Sequence, residues 1–167
     1  MRRKWIAALV CMALMLCALP QGTLGEQPHS LTLVLLNDWV VVQAGTTVYR
    51  DSELTQSWGM IPEGIIVQRR YDLQNGRTAV VNGKYLGYVA SDRIAELREG
   101  DWLCAARNTR AYQKPSLQSR WIGVNSGLAM QLVAVNGACA AVRRGNVVAH
   151  MYIGHLKPIP WAYAVST

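Results

Sequence analysis

The sequence has no phenylalanine and only three histidines in 167 residues. No apolar run reaches the roughly 20 residues that a bilayer-spanning helix needs. The longest, Trp5 to Leu19, is 15 residues and stops at Pro20. After that run, no stretch keeps a helical apolar period over eleven residues, which excludes a helical bundle. A Gly-rich phosphate loop, a paired-carboxylate motif and a calcium loop are also absent. The imidazoles are His29, His150 and His155. With Cys139, the last two do not fall at zinc-ligand spacings, so no metal is expected. No nucleophile, base and orienting group fall into a recognisable constellation, so the chain is not read as an enzyme and no cofactor is expected.

What is present begins at the N-terminus. Met1-Arg2-Arg3-Lys4 is cationic, the apolar run follows, and Gln21 to Gly25 is a small-residue exit. That order is the pattern of a secretory signal peptide over residues 1–25, cut after Gly25 or, as second choice, after Gly22. An uncleaved anchor is the alternative, and the short run argues against it. The only expected contact with a membrane is through this transient segment. Neither Cys11 nor Cys17 follows a small residue at the end of the run, so lipidation is not indicated. Removing the segment leaves Cys104 and Cys139, an even count in an exported chain, which points to a disulfide; two buried free thiols are the alternative.

The formal net charge of +7 includes Arg2, Arg3 and Lys4. The remainder has 14 Lys/Arg against 10 Asp/Glu. Its charge is uneven. Between Trp39 and Leu97 six cations meet six anions, whereas from Arg98 onward eight cations face only Glu99 and Asp101. Such asymmetry between halves is a partner signal.

An internal repeat organises the chain. A shift of 63 places Trp39 on Trp102, Tyr49 on Tyr112, Leu54 on Leu117, Trp58 on Trp121 and Gly64 on Gly127. A shift of 61 then places Asn75-Gly76 on Asn136-Gly137 and Ala79 on Ala140, and a shift of 62 places Gly83 on Gly145. Repeat 1 is read as 38–97 and repeat 2 as 101–160, with a linker at 26–37 and a tail at 161–167. Each copy reads as short β-branched and aromatic strands broken by Asn-Gly turns, with one tight helical turn at Ser91 to Ile94. Because they recur, Trp39, Trp58, Trp102 and Trp121 are expected in the core. The short connector Ala95 to Gly100 predicts a fixed pair of domains.

Several features of repeat 1 resemble bacterial SH3-type (SH3b) domains. They are the Thr47-Val48-Tyr49 strand, a polar loop to Ser57, Trp58-Gly59, the strand at Glu63 to Val67, and Asn82-Gly83 with Gly87-Tyr88-Val89. Repeat 2 keeps Asn108 to Tyr112 and Ser126-Gly127 but has Ala149-His150-Met151 in place of Gly-Tyr-Val. The resemblance implies an all-β protein with two tandem SH3-like barrels. It also implies non-catalytic modules that bind cell-wall peptides, glycans or proteins.

Two candidate surfaces follow. Arg107, Arg110, Lys114, Arg143 and Arg144 are expected to form an anionic-ligand face on repeat 2, with Tyr112 beside it. Tyr49, Tyr71, Tyr85 and Tyr88 form a candidate aromatic groove on repeat 1, with Tyr85 exposed. The expected protein is secreted, either free or associated with the cell wall. Its expected ligand is peptidoglycan or an anionic wall polymer rather than nucleic acid. A docking subunit for a secreted partner, such as a cell-wall hydrolase, is the alternative.

Overall fold

The computed structural model describes residues 35–73 and 75–159. The signal peptide, most of the linker and the tail containing Trp161 and Tyr163 lie outside the described residues. The described part is all-β. Repeat 1 contributes β1 (Trp39–Val42), β2 (Thr47–Tyr49), β3 (Ser57–Met60), β4 (Ile65–Leu73), β5 (Arg77–Asn82), β6 (Tyr85–Ala90) and β7 (Ile94–Glu96). Repeat 2 contributes β8 (Trp102–Ala105), β9 (Thr109–Tyr112), β10 (Trp121–Val124), β11 (Ala129–Asn136), β12 (Cys139–Arg144), β13 (Val147–Tyr152) and β14 (Leu156–Pro158). A 3₁₀ turn precedes the last strand of each copy, at Ser91–Arg93 and Ile153–His155.

Each copy is one antiparallel seven-stranded sheet. Their orders, β3-β2-β6-β5-β4-β1-β7 and β10-β9-β13-β12-β11-β8-β14, are the same order used twice. The end strands of a sheet do not pair with each other, so neither sheet closes on itself. The irregularities also coincide. Bulges fall between Arg69 and Tyr71 and between Leu132 and Ala134. Left-handed residues recur at Asn37 and Gly100, Leu54 and Leu117, and Gly83 and Gly145.

The register corrects one part of the repeat alignment. Tyr71 pairs with Ala79, and Ala134 pairs with Ala141. Ala79 therefore corresponds to Ala141, a shift of 62 through the whole strand, and not to Ala140. The β11–β12 turn is one residue shorter than its counterpart. In a strand a slip of one residue moves every side chain to the opposite face, so the correction decides which residues share a surface.

β1 shows how the two copies are joined. Val40, Val41 and Val42 are all buried. Alternation sends Val40 and Val42 to one face and Val41 to the other. Val40 and Val42 join Ile61, Val67, Val80 and Val89 in the core of repeat 1. Val41 and Ile66 instead belong to the cluster of repeat 2, with Leu103, Leu132, Met151 and Ile153. A strand buried on both faces reads as a continuous apolar run, which is what its sequence shows. The junction is completed by Trp39, whose indole N–H donates to the Gly137 carbonyl at 2.6 Å, and by a Lys157–Glu63 ion pair at 2.7 Å.

Two expectations are overturned. The tryptophans are not core residues: Trp39 is half-buried, and Trp58, Trp102 and Trp121 are 44, 36 and 52 % exposed. The buried apolar side chains are Val, Ile, Leu, Met and Ala, with the two cysteines. The Cys104–Cys139 bridge is not formed either, and both thiols are free and buried. Cys104 lies opposite Ala129 and Cys139 opposite Asn136, at the two ends of β11. Seven residues of strand separate those positions, about 20 Å at the usual rise, whereas bridged Cα atoms lie within roughly 7 Å.

Candidate functional site

Several charges of repeat 1 are spent on one another. The Arg69 guanidinium is bound to both Asp38 oxygens and lies 3.0 Å from Glu96 and 3.6 Å from Asp72. These bonds, that with Asp38 foremost, raise its pKa further. Arg77 pairs with Glu53 at 2.7 Å. In repeat 2, by contrast, Arg107, Arg110, Lys114, Arg143 and Arg144 make no ion pair with a described residue. Arg50 and Lys84 of repeat 1 are unpaired in the same sense, so the copies differ in how many such cations they carry and not in having them.

Two of those cations line a cleft of about 440 Å³, formed where β9, its preceding loop and the 3₁₀ turn Ile153–His155 converge. Arg107 and Asn108 come from the loop, and Thr109, Arg110 and Tyr112 from β9. Leu117 lies in the polar loop, Tyr152 precedes the 3₁₀ turn and His155 is its last residue. No carboxylate lines the cleft. Its walls are held in place by several contacts. The Asn108 side-chain carbonyl accepts from the Ser126 backbone N–H at 2.9 Å. Thr109 Oγ1 and His155 Nδ1 share a hydrogen bond at 2.6 Å. The Tyr152 and His155 rings meet edge to face at 5.0 Å. The Arg110 guanidinium lies 4.2 Å from the Trp121 ring centroid, a cation–π distance that orients the charge without neutralising it. Burial, assisted by Arg107, lowers the His155 pKa below its usual value, so this imidazole is neutral at pH 7.

Leu117 adopts a left-handed φ of 56°, as Leu54 does in repeat 1 at 57°. A branched residue in that region stores about 1 kcal/mol of strain, which the fold carries in both polar loops. The cleft itself is not duplicated. The counterparts of Arg107, Arg110, Tyr152 and His155 are Ala44, Thr47, Ala90 and Arg93.

The remaining candidates lie elsewhere. Lys114 follows β9, and its backbone N–H donates to Ser119 Oγ. Arg143 and Arg144 occupy the β12–β13 hairpin, with Arg143 reaching Gln131 Oε1 at 3.3 Å. Arg144 borders a separate apolar depression with Val147. The five cations therefore do not line a single cavity. Alternation also divides the proposed tyrosine groove. Tyr71, Ala79, Tyr88 and Tyr49 form one row across the strands. The Tyr71 and Tyr88 hydroxyls are 3.3 Å apart, and the bond from Tyr71, with burial, raises the Tyr88 pKa to about 12. Tyr85, three residues before Tyr88 on β6, faces the other way beside Trp58.

No protein-family model matches this chain, and no curated protein matches it. Tyr152 and His155 were not foreseen as site residues. Their signal is visible only by comparing the copies, as positions where repeat 2 gained a ring that repeat 1 lacks.

The two thiols are poor candidates for chemistry. Burial raises the pKa of both Cys104 and Cys139, which keeps them protonated and weakly nucleophilic. Cys139 Sγ lies 3.9 Å from His150 Nδ1, a long contact even for sulfur.

Proposed function

We propose that this is an exported, non-catalytic binding protein built from two SH3-type domains, and that repeat 2 holds an anionic group of a cell-surface polymer. The SH3-type reading is supported by the shared strand order, the long polar loop after β2 and β9, and the 3₁₀ turn before each final strand. The single observation that carries the binding reading is the cleft of Arg107, Arg110, Tyr112, Tyr152 and His155. Unpaired cations, aromatic walls and fixed hydrogen-bonding groups converge there, and the arrangement is absent from the other copy. Two guanidinium groups present planar donors suited to phosphate or carboxylate oxygens. The aromatic walls of Tyr112 and Tyr152 supply apolar contact for a sugar or polyol face.

The test is binding of purified wall teichoic acid, and of peptidoglycan stripped of it, to the protein at low and high salt. Binding is expected to fall steeply with salt. Arg107→Ser and Arg110→Ser are each expected to weaken it roughly tenfold, the loss of one charge-assisted hydrogen bond of about 1.5 kcal/mol. Salt-independent binding sinks the reading, as does binding that survives the double substitution and is lost on replacing Arg143 and Arg144. Capture of a secreted protein but of neither polymer would favour the docking-subunit alternative.

A further inference from the structure

Repeat 1 holds a second cavity, unrelated to the basic cleft, with a volume of about 500 Å³ and an almost wholly apolar lining. Its floor is the core itself, Val42, Val67 and Val80. Its lip is Trp58, Met60 and Tyr85, of which Met60 is 65 % and Tyr85 58 % exposed. Repeat 2 does not fill the corresponding space but breaks it up. Where repeat 1 has Gly59, Val67 and Gly87, the register of repeat 2 places Ile122, Met130 and Ala149. The corresponding space there is divided into parts of about 380 and 250 Å³. The same fold, with larger side chains at three positions, partitions the cavity, and repeat 1 leaves it whole. Gly87 also maintains the lip: a Cβ there would lie 2.7 Å from Val48 Cγ1 and 3.6 Å from the Trp58 ring.

Two cations stand against the aromatic rings of the lip, although neither lines the cavity itself. The Arg50 guanidinium is 6.0 Å from the Trp58 centroid and the Lys84 ammonium 5.3 Å from the Tyr85 centroid. Neither makes an ion pair with a described residue. Trp58 and Tyr85 meet edge to face at 6.1 Å, so the two cations stand on adjoining rings. The nearby carboxylate of Asp51 is engaged by its own loop. It accepts from the backbone N–H groups of Thr55 and Gln56, which hold its pKa below the ordinary range.

We propose that this cavity binds a single-chain amphiphile with an anionic head. The chain lies on the valine floor, and Arg50 and Lys84 hold the head at the lip. A volume of about 500 Å³ falls within the roughly 300–1,000 Å³ of small-molecule sites, and an apolar well under two unpaired cations is complementary to that chemistry. A neutral chain would leave the cations unused, and a cationic one would be repelled.

Dodecanoate, kept below its micellar range, is the probe, with dodecanol and dodecyltrimethylammonium beside it. Titration calorimetry on the protein should show saturable dodecanoate binding at one site, at least tenfold tighter than dodecanol, and none for the cationic chain. Val67→Met, which copies repeat 2, should weaken dodecanoate at least tenfold. Met60→Glu, at an exposed position that leaves folding intact, should do the same by placing a negative charge at the lip. Lys84→Glu should erase the preference for dodecanoate over dodecanol. Arg107→Ser should leave dodecanoate binding unchanged, which separates this site from the basic cleft. The proposal is overturned by absence of dodecanoate binding, by equal affinity for dodecanol, or by indifference to both Val67→Met and Met60→Glu. Adsorption to anionic vesicles without binding of free dodecanoate overturns it as well.

Discussion

Replacing Val41 with alanine tests how the two copies are joined. Val41 sits on a strand of repeat 1 but its side chain belongs to the core of repeat 2, where it is 2 % exposed. The substitution removes two carbons, at about 0.8 kcal/mol each for burial, and leaves a cavity between sheets that cannot slide closed, for a total of about 2 kcal/mol. For a domain of this size that corresponds to a fall in melting temperature of roughly 6–10 °C. Thermal unfolding followed by far-UV circular dichroism gives the total. Hydrogen exchange read peptide by peptide shows where the loss falls. Protection should drop in β8, β11 and β13 of repeat 2, the strands that carry Leu103, Leu132 and Met151. The neighbouring Val42→Ala, which points into the core of repeat 1, should cost a similar amount but loosen β4 to β6. A Val41→Ala protein in which only repeat 1 loses protection would refute the shared core.

Other outcomes follow from single contacts. Gly64→Ala should destabilise by about 1–3 kcal/mol in urea unfolding, because a Cβ there lies 2.9 Å from the Pro158 ring and 3.6 Å from the Val42 carbonyl. Tyr88 is held protonated in the fold, with its pKa raised from 10 to about 12. The stabilisation it brings is therefore complete below pH 10 and lost as pH rises from 10 to 12. Tyr71→Phe should shrink that alkaline loss and move one phenolate absorbance transition toward 10. Non-reducing peptide mapping after alkylation should recover Cys104 and Cys139 as separate alkylated peptides, and a linked pair would contradict the strand register. His155 should titrate below its ordinary 6.5 by NMR, and Arg107→Gln should raise its pKa by removing a nearby positive charge.

The strand pattern was legible because β-branched runs and Asn-Gly turns are local signals, and the tight turn at Ser91 and the 63-residue spacing were legible for the same reason. The slip in the alignment arose in Ala79-Val80-Val81 and Ala140-Ala141-Val142, where small apolar residues match equally well one position out. Only the pairing of Tyr71 with Ala79 and of Ala134 with Ala141 fixes the register. The tryptophans misled because recurrence was taken for burial. Trp58 and Trp121 recur on the edge strands β3 and β10, where a large ring covers one flank of a sheet and remains half in water. The cysteines misled because compartment and count say nothing about distance. In the basic cleft, Arg107, Arg110 and Tyr112 share one short segment and could be read together. Tyr152 and His155 are some forty residues later and arrive only because β13 lies beside β9, with His150 opposite Tyr112.

The shared core has a consequence for how such a chain can change. A gene segment ending between Glu96 and Trp102 encodes every strand of repeat 1, yet its product would present Val41, Ile66 and Trp39 to water. The remaining segment would lose the side chains that complete its own interior. Duplication made two copies, but the inward turn of one face of β1 and β4 has made the pair the smallest piece that recombination can move intact. Domain shuffling could attach new partners before Trp39 or after Pro158, and a cut between the copies would yield two unstable products instead of two portable modules.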